Sequence, residues 1–369
     1  MDSSFWFGDY STAYRYMRVS RATGSEIGEL YGITPGSITR NDDTSIKESA
    51  DCKCTGGFDI GADLVRVYMD ATSSTGEAVS VPLGTFVPAV PSRTVDGPIE
   101  TSAVKLYGRL QELEDDDFAV PLTVPGGSNA VDIAAGICRD AGLEVLYPKS
   151  GYVTTDARYY GVGATSDSQT VDSKLGAVND LLSLAGYRSA HTDAMGRVTF
   201  DVYREPSVSP AAWTFQEGRS ARFESEVSEE LDYTSTANHV VVRYASTEEN
   251  KAFVGEAWDR DPESPLSTVS RGRTITKSYT YDELPPGKDD AARQGSSDAK
   301  AGELLAAEQA VIHRVTVNGT YAPVDIADTV AFSYPTGGIE GKFAVRTETL
   351  KLSGGCPMQI ELKRNVRSW

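Results

Sequence analysis

"LGTFVPAVPSRTVDGPIETSAVKLYGRLQELEDDD", residues 83–117, holds an extended run, an Asp-Gly pair, a second extended run and a block of acid. Asp96-Gly97 supplies the positive φ that closes a hairpin. Pro88 and Pro91 cannot donate ladder hydrogen bonds, so the first run should lie at an edge or a bulge. On the return, Val104 and Leu106 share one side. Glu112, Glu114, Asp115, Asp116 and Asp117 follow as an acidic run, expected to lie on an acidic surface. The run lacks the spaced D-x-D-x-D-G pattern of a calcium loop, so solvation is the simpler expectation than cation binding.

The chain upstream has the same character. "AYRYMRVSR" sets Tyr14, Tyr16 and Arg18 against Arg15, Met17 and Val19, and "DLVRVYMD" sets Val65, Val67 and Met69 against Arg66, Tyr68 and Asp70. Period two marks half-buried strands. Residues 1–112 therefore read as all-β. Downstream, 113–206 read as a small α+β module. Ser128 is the expected cap of a helix to Ala141 ended by Gly142, and a second helix is expected from Asp172 to Ala185 with Gly186 as its stop. A hairpin around Gly196 follows, with Val198, Phe200 and Val202 alternating.

β character returns in 207–245, where "NHVVVRY" is dense in β-branched residues. Residues 246–307 read as an insert, turn-rich in "WDRDPESPLS" and "DELPPGKDD", with a helix expected over Ser297 to Ile312. Residues 308–369 complete the second β block, with Asn318-Gly319 expected as a hairpin turn and "LSGG" as another before "PMQIELK". The fold class is α+β, mainly β.

The 369 residues suffice for two or three domains at roughly 150 residues each. Thirty-five Lys and Arg stand against 53 Asp and Glu, a net charge of −18, which argues against a nucleic-acid reader and favours a surface that repels DNA and anionic membranes. No segment approaches the ~18 apolar residues of a membrane span. The first ten residues lack a basic and apolar leader, so synthesis in the cytoplasm is expected.

Catalytic residues are not evident. The three histidines, His191, His239 and His313, show no metalloprotease spacing and read as structural. Cys52, Cys54, Cys138 and Cys356 are too few for a disulfide scaffold. A metal at Cys52, Cys54 and Cys356 would need a further ligand brought from afar, and reduced structural thiols are the simpler reading. Asp259 and Asp261 form a D-x-D beside Pro262 and Pro265, which favours a rigid turn. Gly126-Gly127-Ser128 lacks a phosphate-loop pattern and reads as helix capping. Eighteen tyrosines and four tryptophans could build sugar platforms but are scattered. No cofactor, catalytic or metal site is expected.

The order of these pieces resembles bacteriophage tail hub proteins. The resemblance rests on the opening hairpin with "YGRL" at its end, "LTVPGGSNAVDIAAGICRDAGLE", "KLGAVNDLLSLAGYRSAHTDAMGRVTFDVY", "NHVVVRY" and "DRDPESPLSTVSRGRTI". It implies two tube-type β-barrel domains, 1–112 and 207–245 with 308–369, with the α+β module 113–206 between them and the insert 246–307 within the second. It further implies a homotrimer forming a pseudo-sixfold ring in a virion tail tip or baseplate. Such a ring would continue the tail tube or a distal tail protein above and dock a spike, fibre or lysin protein below. DNA would pass without specific binding, and the acidic run Glu112, Glu114, Asp115, Asp116 and Asp117 would line the lumen or an acidic surface. Because the chain ends soon after its last strand, lytic activity is not expected. A carbohydrate-binding adhesion protein of the tail tip is the alternative.

Overall fold

The computed structural model describes residues 3–56, 58–154, 157–161, 173–231, 236–246, 251–281, 284–309 and 311–366. Asp172, Asp282, Glu283 and Trp369, which entered the sequence expectations, lie outside them. Contacts divide the chain into two compact units, one of 1–226 with 317–362, the other of 227–316 with 363–369.

In the first unit, residues 10–108 form seven strands: β1 Tyr10–Val19, β2 Glu26–Leu30, β3 Ile33–Asn41, β4 Glu48–Thr55, β5 Leu64–Ser73, β6 Ala78–Asp96 and β7 Ile99–Gly108. They pair antiparallel in the order β3-β4-β7-β6-β5-β1-β2. The β6–β7 hairpin turns at Gly97, φ 58°, with Pro98 next. β6 is shared lengthwise. Its first half pairs with β5 as far as Phe86, and its second half pairs with β7 alone beyond that point. Pro88 therefore sits where one edge is free, and Pro91 lies in the register shift between Ala89 and Ser92. Both positions are ones where a missing N–H costs no ladder bond.

The second β block joins this sheet directly. The Ile339–Lys351 strand pairs antiparallel with β3, from Thr347 opposite Asn41 to Lys351 opposite Ser37. It also pairs with Thr329–Tyr334, which pairs in parallel with Trp213–Gln216. Among the described residues the two blocks thus share one thirteen-stranded sheet. At its inner side, Trp6 is fully buried from the N-terminal 3₁₀ turn and meets Tyr10 and Tyr321 edge-on.

The α+β module has its own core. Helix α1 is one turn, Gln111–Glu114, followed by α2, Ala130–Asp140, and α3, Lys174–Leu184. Val131, Ala134 and Cys138 of α2 pack with Leu175, Val178 and Leu182 of α3 at helical spacing. The cap of α2 is Asn129, not Ser128. The Asn129 side chain accepts from the N–H groups of Val131 and Asp132. Both residue types are good caps, and only the backbone path decides between them. Ser173 caps α3, and Gly142 and Gly186 stop the two helices at φ 80° and 73°.

The second unit contains a three-stranded sheet, Lys251–Trp258, His239–Ser246 and Thr276–Tyr281, covered on one face by α4, Asp290–Glu308. Three expectations are corrected here and nearby. Among the described residues the "NHVVVRY" strand pairs with these two neighbours and not with the large sheet, so the boundary expected at 245 cuts through a sheet. Period two reports a strand, not its partner. Helix α4 starts at Asp290, capped by Asp289, and ends before the Val311–Thr320 strand, rather than running from Ser297 to Ile312. Gly295 and two serines hid its first turns. Finally, Asn318-Gly319 is inside that strand and makes no turn. A Cβ at Gly319 would stand 2.1 Å from the Arg222 carbonyl oxygen, so the glycine serves close backbone approach.

Candidate functional surface

Alternation along the central strands gives the sheet one packed face and one open face. On β4, Glu48, Ala50, Cys52 and Cys54 are buried while Ser49, Lys53 and Thr55 are exposed. Register carries this open face across the block boundary. Thr349, Thr39, Ser49 and Tyr107 stand in one row over four neighbouring strands. Beside it lie Lys351, Ser37, Asp51 and Lys105, with the Ser37 hydroxyl donating to Asp51 at 2.7 Å. A shallow hollow of about 280 Å³ lies over Ser37, Thr39, Asp51 and Lys105, and another of about 350 Å³ over Thr349, Lys351, Asn318 and Gln359. The Gln359 amide donates to Asn318 at 3.0 Å. The face is polar and of mixed sign. Among the described residues Lys53, Lys105 and Lys351 are exposed cations on it, in a chain whose net charge is −18. Nothing in the period-two patterns alone showed that residues 37–55 and 349–359 share a surface.

The acidic run is placed elsewhere, at the start of the α+β module, and most of it is engaged. Glu112 is bound by Arg21 and, at 2.8 Å, by Arg109. Glu114 accepts from the Ser173 hydroxyl at 3.1 Å, Asp115 accepts from Gln111 at 2.6 Å, and Asp116 pairs with Lys174. Asp117 bridges to Ser173 through the backbone. The run ties α1 to the N-cap of α3. A basic residue at a helix start, Lys174, and the two arginines were the sequence signals for that engagement.

The histidines are held locally. His191 Nε2 lies 3.2 Å from Asp201, whose carboxyl is kept below its usual range by that bond. The pair lines the rim of a cavity of about 580 Å³ with Asp42, Arg188, Asp328 and Arg346. His239 stacks on Trp258 at 3.5 Å between ring centroids and bonds Thr276 at 2.9 Å. His313 lies 2.7 Å from Glu229, and burial pushes its pKa down. All four cysteines are buried. Burial raises Cys52 and Cys138 to about 12 and Cys356 to about 11, so none is a ready thiolate. Among the described residues no group of three or more His, Cys, Asp or Glu could hold a metal ion.

The remaining candidates are structural. Asp259 accepts from Ser264 and Gln309 and from the Asp261 N–H, fixing a turn. Gly127 has φ 83° and donates to the Thr154 carbonyl at 2.6 Å, closing the loop before α2. Trp6 and Trp213 are buried, and Trp258 has His239 stacked on it and the Arg260 guanidinium 4.6 Å from its ring centre. None of these three presents a bare aromatic platform for a sugar ring.

Comparison with solved structures gives the architecture its context. A tail protein from Neisseria meningitidis MC58 superposes with TM-score 0.60 at 16% identity, over 95% of this chain and 97% of that one. This chain has the fold of a phage tail protein. The 43 kDa tail protein of prophage MuSo2 from Shewanella oneidensis follows at TM-score 0.58 and 12% identity, covering 95% and 98%. The prophage tail protein gp18 of Listeria monocytogenes EGD-e matches at 0.54 and 12%, covering 96% and 95%. The tail-protein fold also superposes on a chain of the Francisella PdpA-VgrG complex, at TM-score 0.58 and 8% identity, where it spans 59% of the larger chain. No family model and no curated protein matches the sequence. No described helix is long and apolar enough to cross a membrane.

Proposed function

We propose that this chain is a structural hub of a phage tail tip or baseplate, non-enzymatic, acting as a ring-forming subunit. The single observation that carries the reading is the near end-to-end correspondence with three tail proteins, over 95–96% of this chain and 95–98% of theirs. The open polar sheet face supports it. A surface that runs unbroken over strands of both β blocks and presents hydroxyls, amides and a few lysines suits the wall of a water-filled bore. In this reading each β block supplies one wall segment, so three copies make six. DNA would pass a mainly polar wall, held loosely and read nowhere.

An acidic bore is not favoured. The exposed carboxylates of the run, Asp115 and Asp117, would face outward or line a rim, while Lys53, Lys105 and Lys351 would face the bore. The partners in this reading are a tube or distal tail protein above and a spike, fibre or lysin protein below.

Native mass spectrometry and negative-stain imaging of the purified protein test the proposal. Threefold rings with an open centre are expected. A protein that stays monomeric both alone at high concentration and with its tail neighbours present would overturn it. Charge reversal on the proposed bore, K53E with K105E, should leave the ring intact. If it disrupts the ring, that face is a subunit interface and not a bore.

A further inference from the structure

Behind the open face, on the packed side of three of the same strands, lies a row of charge. Glu348 stands opposite Arg40, and Arg40 stands opposite Glu48. All three are buried, with exposures of 0%, 6% and 3%. Arg40 donates to Glu348 and to the Leu83 carbonyl, and the Thr192 hydroxyl donates to Glu48 at 3.0 Å. One oxygen of each glutamate, Oε2 of Glu48 and Oε1 of Glu348, has no hydrogen-bond partner. The row therefore joins β3 and β4 of the first block, the Ile339–Lys351 strand of the second, and the His191–Thr192 strand of the α+β module.

One guanidinium cannot balance two buried carboxylates. The other groups acting on the row do not help. Asp325 approaches Arg40 only at 3.8 Å and is itself acidic, Asp193 acts on Glu48, and Asp328 acts on Glu348. Tyr321 and Cys356, also coupled to Glu348, are neutral at ordinary pH. A buried ion without a counter-charge costs several kcal/mol, whereas a proton bound to one carboxylate removes that cost. It also turns an unpartnered acceptor into a donor.

We propose that Glu48 and Glu348 hold one proton in common against Arg40. With that proton in place the seam between the two β blocks and the α+β module is latched, and its loss loosens the seam. The pair titrates as a unit. Burial, the largest influence on each, raises Glu48 to about 8 and Glu348 to about 7. Both lie above the unfolded value, so the folded chain binds the extra proton. The stability this confers is full below about pH 4.5 and is lost as pH rises through 7 and 8.

Infrared spectroscopy and pH-dependent unfolding of the full chain test this. The wild type should show a buried carboxylic-acid carbonyl band at pH 6 that disappears by pH 10. Its unfolding constant should rise about tenfold per pH unit between about pH 5.5 and 7, the slope of one proton, and level off above about pH 8. In E48Q or E348Q a single carboxylate faces Arg40, so the band should vanish and the slope should flatten. Absence of the band in the wild type overturns the proposal without recourse to variants. Persistence of band and slope in both Gln variants overturns it by assigning the proton elsewhere.

Discussion

Gly255→Ala probes how α4 is seated on its sheet. Gly255 lies on the Lys251–Trp258 strand between Phe253 and Ala257, on the side that packs against Ala301 and Leu305. The helix crosses there so closely that a Cβ at Gly255 would stand 2.1 Å from the Ser297 carbonyl oxygen, 2.3 Å from its carbon and 2.7 Å from the Asp298 nitrogen. All three atoms are backbone, so no rotamer change can make room. To reach ordinary contact near 3.4 Å the helix must retreat by about 1.3 Å, which opens the packing of Ala301 and Leu305 on Val240 and Val242. Overpacking of this kind costs about 1–3 kcal/mol, and the backbone atoms place this case at the upper end. Gly295→Ala is the internal control. It lies in the same helix with nothing within 4 Å of its would-be Cβ, so alanine there should stabilise by about 1 kcal/mol through helix propensity. Urea denaturation followed by circular dichroism, with Trp258 fluorescence as local reporter, reads both. Equal midpoints for G255A and wild type would refute the close crossing.

Asn129→Ala should cost about 1 kcal/mol in denaturant unfolding, because it strips the cap from two N–H groups of α2. Ser128→Ala should stay within about 0.5 kcal/mol. The four cysteines should resist alkylation at pH 7 in the native protein and react fully in denaturant, as mass spectrometry would show. Rapid native labelling of Cys138 would contradict its burial between α2 and α3. Gly319→Ala should destabilise although no turn is present, since its Cβ would meet the Arg222 carbonyl. A neutral result would restore the turn reading.

Much of the local structure was legible because it is set locally. Strict alternation marked β1 and β5, Gly97 closed the hairpin, and 3.6-residue spacing with glycine stops marked α2 and α3. What failed, failed where a residue type has two uses. Gly319 has the composition of a turn and the role of a close contact, and Gly295 looks like a helix breaker yet sits inside α4. The acidic run looked like free surface because its partners, Arg21, Lys174 and Ser173, lie up to about a hundred residues away in sequence.

By itself the sequence determined which segments are extended, which are helical, and which side of each is apolar, because side-chain spacing along a short chain segment is enough for that. The tertiary structure alone decided which strands are neighbours: that β3 takes Ile339–Lys351 beside it, that His239–Ser246 goes to another sheet, and that Glu48, Arg40 and Glu348 fall in one row. Backbone N–H and C=O groups are alike in every strand, so pairing is chosen by the packing of whole faces, and that information is spread over residues hundreds of positions apart.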